Sequence, residues 1–208
     1  MHMSNFYLDI LKDRLYTFKS DSVERRAAQT VIYEILQALS VIIAPILVFT
    51  SEEIWQYMPK KKKSAESIYL NEWPSLNESL TDDKLMNEWQ ILMDIRECVL
   101  KALEEKRAEG SIGNALEAKV LLFSQDDGVC GLLEKYKKDL KALFIVSQVA
   151  FSKSEAADNC IQCEKVKLYV KVDRADGKKC PRCWNYSTEI GKDKEHPMLC
   201  PRCLKAIA

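Results

Sequence analysis

The sequence has little of the material that marks several other classes of protein. Its 208 residues include only 6 Gly and 6 Pro, which argues against a low-complexity chain. The 31 basic and 31 acidic residues cancel, which excludes a charge-driven disordered tail and a uniformly basic nucleic-acid-binding surface. Any nucleic-acid site must therefore be a local patch.

Long apolar segments are also scarce. The longest uncharged run near the N-terminus covers 35–51, contains Pro45 and is shorter than the roughly 20 apolar residues of a membrane span. We predict a buried core helix there and no membrane association. No secretory signal opens the chain, and its abrupt amphipathic start suggests a fragment of a longer, cytoplasmic protein. The 8 Cys are then expected to be reduced thiols and metal ligands.

Apolar residues recur at three- and four-residue steps through 4–109, which predicts an up-and-down helical bundle. Trp55, Trp73 and Trp89 are expected to pack in its core. We predict that a helix beginning at Ser22 is kinked or ended by Pro45. The other helices are predicted to begin near residue 4, at Thr50 or Ser51, and at Asp82 or Asp83.

A smaller unit of mixed structure is predicted over 110–177. Strands are expected at 119–123, 144–151 and 165–172, with a helix over 128–138. The last 31 residues, 178–208, form a cysteine-rich module. The predicted fold is thus mainly α: a helical bundle, then a small α+β unit, then a C-terminal zinc finger.

The tetrapeptide Cys-Pro-Arg-Cys occurs twice in the C-terminal module, with 16 residues between the copies. Each CxxC turn presents two thiolates to one metal ion, and two turns supply a tetrahedral four-sulfur site. So small a module cannot bury enough core to fold alone, so zinc binding should supply its folding free energy. We predict one structural Zn²⁺, with the ligands Cys180, Cys183, Cys200 and Cys203.

Other cysteines leave alternatives open. Cys160 and Cys163 form a third CxxC pair, also 16 residues before Cys180. The strand predicted at 165–172 lies between this pair and Cys180, and it should hold the two CxxC pairs apart. We therefore interpret Cys160 and Cys163 as exposed thiols in a loop. Cys98 and Cys130 are expected to be buried or helix-surface thiols. His196 could replace one cysteine ligand, but four sulfurs are already available. A catalytic zinc usually keeps an open position, so a closed four-sulfur shell with no His-x-Glu signature argues against one.

Charge is distributed unevenly along the chain. Residues 178–208 carry seven basic and three acidic side chains, so this segment has a net charge of +4 and the remainder −4. Arg182 and Arg202 lie inside the two CxxC turns, and Trp184 and Tyr186 follow the first turn. Arginines for phosphate and aromatic rings for unstacked bases favour single-stranded RNA. The alternative is a finger docked on its own chain, with Trp184 in its core.

The C-terminal module, from Lys179-Cys180-Pro181-Arg182-Cys183-Trp184-Asn185-Tyr186 to Cys200-Pro201-Arg202-Cys203, resembles the zinc finger of bacterial isoleucyl-tRNA synthetases. A related finger closes the formamidopyrimidine-DNA glycosylases. Upstream, Phe6-Tyr7-Leu8-Asp9, Ile43-Ala44-Pro45-Ile46 and Thr50-Ser51-Glu52-Glu53-Ile54-Trp55 resemble the class I anticodon-binding bundle of the same synthetases. The segment 107–118 is similar to the junction that follows that bundle.

This resemblance implies recognition of the anticodon stem-loop of isoleucine tRNA by the C-terminal part of an isoleucine–tRNA ligase. It implies that ATP and Mg²⁺ act only in a catalytic domain absent from this chain, which should be inactive alone, carry no catalytic residue and be a monomer. The partners implied are the tRNA and the rest of the synthetase chain. The implied tRNA contacts are Arg182, Trp184, Lys178, Lys179 and Arg202, with Arg14, Lys19, Arg25 and Arg26 as weaker candidates.

Two other functions compete with this one. A free-standing zinc ribbon could bind protein and not RNA. A DNA-repair glycosylase would need an N-terminal proline nucleophile, but the chain begins Met1-His2-Met3.

Overall fold

The computed structural model describes residues 3–60, 64–155 and 159–207. It is mainly helical, with a small mixed sheet and a C-terminal four-cysteine cluster, which confirms the predicted fold class. The α-helices are α1 (Leu8–Thr17), α2 (Val23–Ile43), α3 (Val48–Tyr57), α4 (Asp83–Ala108), α5 (Asp127–Lys135), α6 (Leu140–Phe144) and α7 (Pro201–Ile207). The strands are β1 (Ala118–Phe123), β2 (Gln148–Ser152), β3 (Ile161–Gln162), β4 (Tyr169–Arg174), β5 (Lys178–Lys179) and β6 (Tyr186–Ser187). The segment Met3–Tyr7 is π-helical, and short 3₁₀ helices cover Ile68–Leu70, Glu78–Leu80 and Ala115–Glu117.

The chain divides into two compact units. One is Ser20–Thr81, and the other combines Met1–Lys19 with Asp82–Ala208. Helices α1 and α4 therefore belong to the same unit as the sheet and the cysteine cluster. The three-part domain division stays a prediction, because a compact unit is not by itself an independently folding domain.

In the unit Ser20–Thr81, two of the predicted helix boundaries are confirmed. Ser22 caps α2 by accepting a hydrogen bond at its Oγ from the backbone N–H three residues on, at 3.3 Å. The helix ends at Ile43, two residues before Pro45, which has no backbone N–H to continue it. The predicted start of α3 is wrong, since it begins at Val48: the N–H of Leu47 already bonds to the carbonyl of Ile43 at 2.8 Å in a tight turn.

Trp55 lies in the core of this unit, as predicted, and its Nε1 donates to the carbonyl of Ala65 at 3.0 Å. The buried residues around it are Val41, Ala44, Met58 and Ile68. The prediction is wrong for Trp73, which is 64% exposed. It follows a 3₁₀ turn in an irregular segment that does not pack its ring into this cluster.

The expectation of a buried helix over 35–51 is also wrong. Within this unit α3 and the turn Ile68–Leu70 pack against one side of α2, while Leu39, Ile42 and Ile46 on that run stay exposed. Among the described residues, α2 is long and apolar enough to cross a membrane by length and composition, with a mean hydropathy of 1.2 over its best window. A single helix of this kind is weak evidence for a membrane span, because core helices of soluble proteins pass the same test.

In the larger unit, α4 begins where predicted. Asp82 caps it, with Oδ1 accepting from the N–H of Leu85 at 2.9 Å. Trp89 contacts Phe6 and Tyr136 edge-on, at ring-centre distances of 6.4 and 6.1 Å, so its predicted packing role is confirmed. The buried face of α4 packs against the sheet through Leu92, Ile95, Val99, Ala102 and Leu103.

The sheet has the order β2-β1-β4-β3. Strand β1 pairs in parallel with β2 and antiparallel with β4, and β3 pairs antiparallel with β4. The strand predicted at 119–123 is confirmed as β1, whereas the one predicted at 165–172 lies later, as β4. The strand predicted at 144–151 is confirmed in its second half, as β2. Its predicted start at Phe144 is wrong: α6 ends there, and Ile145 stops the helix by adopting a left-handed φ of 56°.

Cys98 and Cys163 are joined by a disulfide. The predictions of a thiol at Cys98 and of an exposed thiol at Cys163 are therefore wrong, and Cys163 is buried. The cause is tertiary, since the turn between β3 and β4 folds Cys163 against α4, with its N–H bonded to the carbonyl of Leu168 at 2.9 Å. Cys130 is a half-buried thiol on α5, as predicted.

Candidate metal centre and nucleic-acid interface

The two CxxC turns bring four thiols to one point. The Sγ atoms of Cys180, Cys183, Cys200 and Cys203 all lie within 4.8 Å of one another, and all four residues are buried. Four sulfurs about 2.3 Å from a tetrahedral zinc ion would be about 3.8 Å apart, and the Cys183–Cys200 sulfur pair lies at 3.6 Å. The cluster fits one structural Zn²⁺ held by these four residues. His196 is exposed and outside the cluster.

Backbone hydrogen bonds prepare this site for a cation. Burial tends to raise the pKa of the Cys180 thiol, but backbone N–H groups of Cys183, Cys200 and Arg182 outweigh it and hold that pKa at about 6. Burial raises the pKa of Cys200 and of Cys203, so these two sulfurs need a metal ion to stay ionised near neutral pH. The finger is closed around them by the β5–β6 pair and α7.

Trp184 lies on the outside of the first turn. Its ring is 60% exposed, and the ammonium of Lys179 stacks over it, 5.3 Å from the ring centre. Its φ of 63° is left-handed, which is rare for a bulky residue and costs about 1–2 kcal/mol. The N–H of Trp184 closes the turn on the carbonyl of Cys180 at 2.8 Å and so maintains this conformation. The alternative that Trp184 is the core of the finger is thereby contradicted.

The arginines of the two turns point instead toward α1. Arg182 donates through Nη1 to the carbonyl of Thr17 at the end of α1 and to Sγ of Cys203 at 3.5 Å. Arg202 binds the carboxylate of Asp13 through both terminal nitrogens, the Nη2–Oδ1 distance being 2.8 Å. Burial tends to lower the pKa of Arg202, but the Asp13 carboxylate overrides it and the pKa is raised.

The finger is also joined to the residues around the sheet. Ser147, which is buried, donates through Oγ to the carbonyl of Leu116 at 2.5 Å and accepts from the N–H of Tyr186 at 2.7 Å. Gly177, just before β5, has a φ of +89° and lies against the backbone of Ser187. Lys178 and Lys179 are exposed on β5.

The four weaker candidates are scattered over α1 and α2. On α1, Arg14 forms an ion pair with Asp139 at 3.1 Å, and just beyond that helix Lys19 is exposed. In the first turn of α2, Arg25 is half-buried and Arg26 exposed. Sequence reasoning missed Asp13, Thr17 and Ser147, which contact finger residues 189, 165 and 39 positions away. No local pattern marks contacts at such separations.

Comparison with known proteins supports both parts of this description. Residues 1–122 match the family model described as the anticodon-binding domain of tRNA ligase. The chain belongs to this anticodon-binding family. Its residues 177–206 also match the model described as the zinc finger found in FPG and IleRS, which contains all four cysteines of the cluster.

Isoleucine–tRNA ligases are among the relatives of this anticodon-binding chain. The chain is 45% identical over 205 residues to that of Thermotoga neapolitana, 47% over 206 to that of Kosmotoga olearia and 46% over 207 to that of Syntrophotalea carbinolica. These matches cover 99%, 99% and 100% of the chain but 22% of each relative. The chain thus corresponds to the C-terminal anticodon-binding part of these relatives and not to their catalytic domain.

Proposed function

We propose that this chain recognises the anticodon stem-loop of isoleucine tRNA as the C-terminal part of an isoleucine–tRNA ligase. The observation that carries the proposal is the pairing of an anticodon-binding match over 1–122 with a zinc finger that exposes Trp184 beside Lys179. In the full-length ligase, ATP and Mg²⁺ would act in the catalytic domain to attach isoleucine to the tRNA. The zinc-finger match alone fits a DNA-repair glycosylase as well as a tRNA ligase. The anticodon-binding match favours the tRNA ligase.

The exposed face of the finger has the chemistry for an anticodon loop. A ring that is 60% exposed can stack on an unpaired base, and stacking of this kind is worth about 1–3 kcal/mol per base. Lys178 and Lys179 are exposed next to it and suit the phosphates on either side. Arg14, Lys19, Arg25 and Arg26 remain proposed contacts of the helical part.

Arg182 and Arg202 remain proposed tRNA contacts with less support. Their contacts with Thr17, Asp13 and Cys203 already use several guanidinium N–H groups. A phosphate would have to share these groups or displace the partners. We further propose that the protein acts in the cytoplasm, because its substrate tRNA is there, and that it acts as a monomer.

Filter binding with a tRNA carrying an isoleucine anticodon tests the proposal. Affinity should fall steeply with salt, and Lys178→Ala and Lys179→Ala should each reduce the salt slope by about 1. Trp184→Ala should weaken binding by about 1–3 kcal/mol while the zinc content stays at one ion. Trp73→Ala is the control, since Trp73 is also an exposed tryptophan, at 64%, but is not one of the proposed contacts, and the change should have little effect.

Binding that is absent, or that does not respond to salt, would favour the zinc ribbon that binds protein. Equal losses from Trp184→Ala and Trp73→Ala would remove Trp184 as the base-stacking residue.

A further inference from the structure

Each of the two Cys-Pro-Arg-Cys turns contains an arginine, and both arginines contact the C-terminal half of α1. Arg182 donates to the carbonyl of Thr17, and Arg202 forms a bidentate ion pair with the carboxylate of Asp13. The last carbonyls of an α-helix have no partner within the helix and carry partial negative charge. The C-terminal end of α1 therefore favours a cation such as Arg182, and the carboxylate of Asp13 supplies a second acceptor for Arg202.

The two contacts are linked to each other within α1. The single hydroxyl hydrogen of Thr17 is shared between Oδ1 of Asp13, at 2.9 Å from the hydroxyl oxygen, and the carbonyl of Asp13, at 2.8 Å. Asp13 thus accepts from Thr17 and Arg202 together, and its carboxylate is held in one orientation. The guanidinium of Arg202 also stacks on the ring of Phe18, 5.3 Å from its centre.

On the finger side the same arginines reach the metal site. Arg182 bonds both to Thr17 and to the sulfur of Cys203, so one side chain joins α1 to a zinc ligand. Arg202 immediately precedes that ligand in α7. A shift of α1 relative to the finger would have to break the bidentate pair and the Arg182 bridge together.

We propose that Asp13 and Thr17 are positioning residues for tRNA recognition: they hold Arg182 and Arg202, and so fix the finger in the orientation that presents Trp184 to the anticodon loop. This inference rests on the proposed function. It gives Arg182 and Arg202 a docking role within the chain, in place of the tRNA contacts proposed for them above, and leaves Trp184, Lys178 and Lys179 as the face that meets RNA.

Asp13→Ala separates this role from direct phosphate binding, because the two give opposite signs. If Arg202 binds phosphate, removing Asp13 releases a cation and removes an anion, so tRNA should bind more tightly. If Asp13 positions the finger, its loss should weaken tRNA binding, by about tenfold. Asp9→Ala is the matched control: it changes the charge equally on the same helix, but Asp9 pairs with Lys12 at 2.8 Å and not with the finger.

Hydrogen exchange gives a readout that does not depend on RNA. In the zinc-loaded chain, Asp13→Ala should accelerate amide exchange about tenfold in the finger segment 201–207, while Asp9→Ala leaves it unchanged. The double variant Asp13→Arg with Arg202→Asp reverses the pair and should restore most of the protection and the affinity. Zinc content should stay at one ion per chain throughout.

Unchanged exchange in Asp13→Ala would overturn the docking role. Faster exchange with equal or tighter tRNA binding would overturn the positioning role. If the unmodified chain binds no tRNA, the proposed function fails by itself, and the exchange measurement still decides whether Asp13 docks the finger.

Discussion

Gly177→Ala tests the close approach at the entrance to the zinc finger. A Cβ atom at Gly177 would lie 2.3 Å from the carbonyl oxygen of Ser187, 2.4 Å from its carbon and 2.5 Å from the nitrogen of Thr188. These are backbone atoms of β6 and the residue after it, so no side-chain rotation relieves the contact. The new side chain would also have to adopt a φ of +89°.

The two costs can be separated with a second glycine. The left-handed conformation costs an alanine about 1–2 kcal/mol. Relieving the contact requires Gly177 to move away from β6, which weakens the pairing of Lys178 with Ser187 and adds about 2 kcal/mol. Gly191, in the same finger, has a φ of +101°, and a Cβ atom there would meet no atom of the described residues within 4 Å. Gly191→Ala therefore incurs the first cost alone.

Release of zinc to a chromogenic chelator, followed against urea concentration, measures the effect because folding of the finger and metal binding are coupled. Gly177→Ala should release its zinc about 30-fold more readily than Gly191→Ala, which is the ratio for about 2 kcal/mol. If the two variants release zinc at the same urea concentration, the close approach at Gly177 does not constrain the finger and the reasoning is refuted.

Two further substitutions test single hydrogen-bonding side chains, both by urea unfolding of the zinc-loaded chain. Ser147→Ala removes the bonds to Leu116 and Tyr186 and should cost about 2 kcal/mol, whereas Ser111→Ala at an exposed site should stay within about 0.5 kcal/mol. Equal effects would show that water replaces the Ser147 hydroxyl. Asp82→Ala removes the cap of α4 and should lower the free energy of unfolding by about 1 kcal/mol. Asp82→Asn should retain most of the capping stabilisation, because the Asn side-chain oxygen can accept the same hydrogen bond. An equal loss in both would point to the charge and not to the cap.

Local signals in the sequence are sufficient to predict much of the fold. Ser22 and Asp82 are cap residues whose bonding partners lie three residues away, and Pro45 ends α2 through its own missing N–H. The two CxxC turns identify the four cysteines that cluster, because each turn is itself the structural unit. The prediction depends in each case on a few neighbouring residues.

Features set by tertiary contacts could not be predicted in this way. The apolar residues at 144–146 fit a strand, yet Phe144 ends a short helix and Ile145 follows it in a left-handed conformation. Buried apolar side chains are compatible with either structure, so their pattern alone does not distinguish the two. The disulfide joins Cys98 and Cys163 across 65 residues. The spacing that suggests a CxxC pair for Cys163 carries no information about a partner on α4.

The arginines show the same limit within the site. Their residue type and their place in the turns indicate phosphate binding. What decides their contacts is the carboxylate of Asp13 and the end of α1, which the sequence does not place near the finger. The sequence predicts that Trp184 faces either RNA or the core of the finger, and its 60% exposure contradicts the second.

The pair between Asp13 and Arg202 spans 189 residues, which gives the order of synthesis a physical consequence. A ribosome that adds about 5–20 residues per second needs about 10–40 s to travel from the codon of Asp13 to that of Arg202. Throughout that interval the end of α1 exists without the cation that later covers it. The joining of α1 to the second metal-binding turn therefore cannot begin before Arg202 has been synthesised, and a nascent chain that stops short of Arg202 cannot complete it.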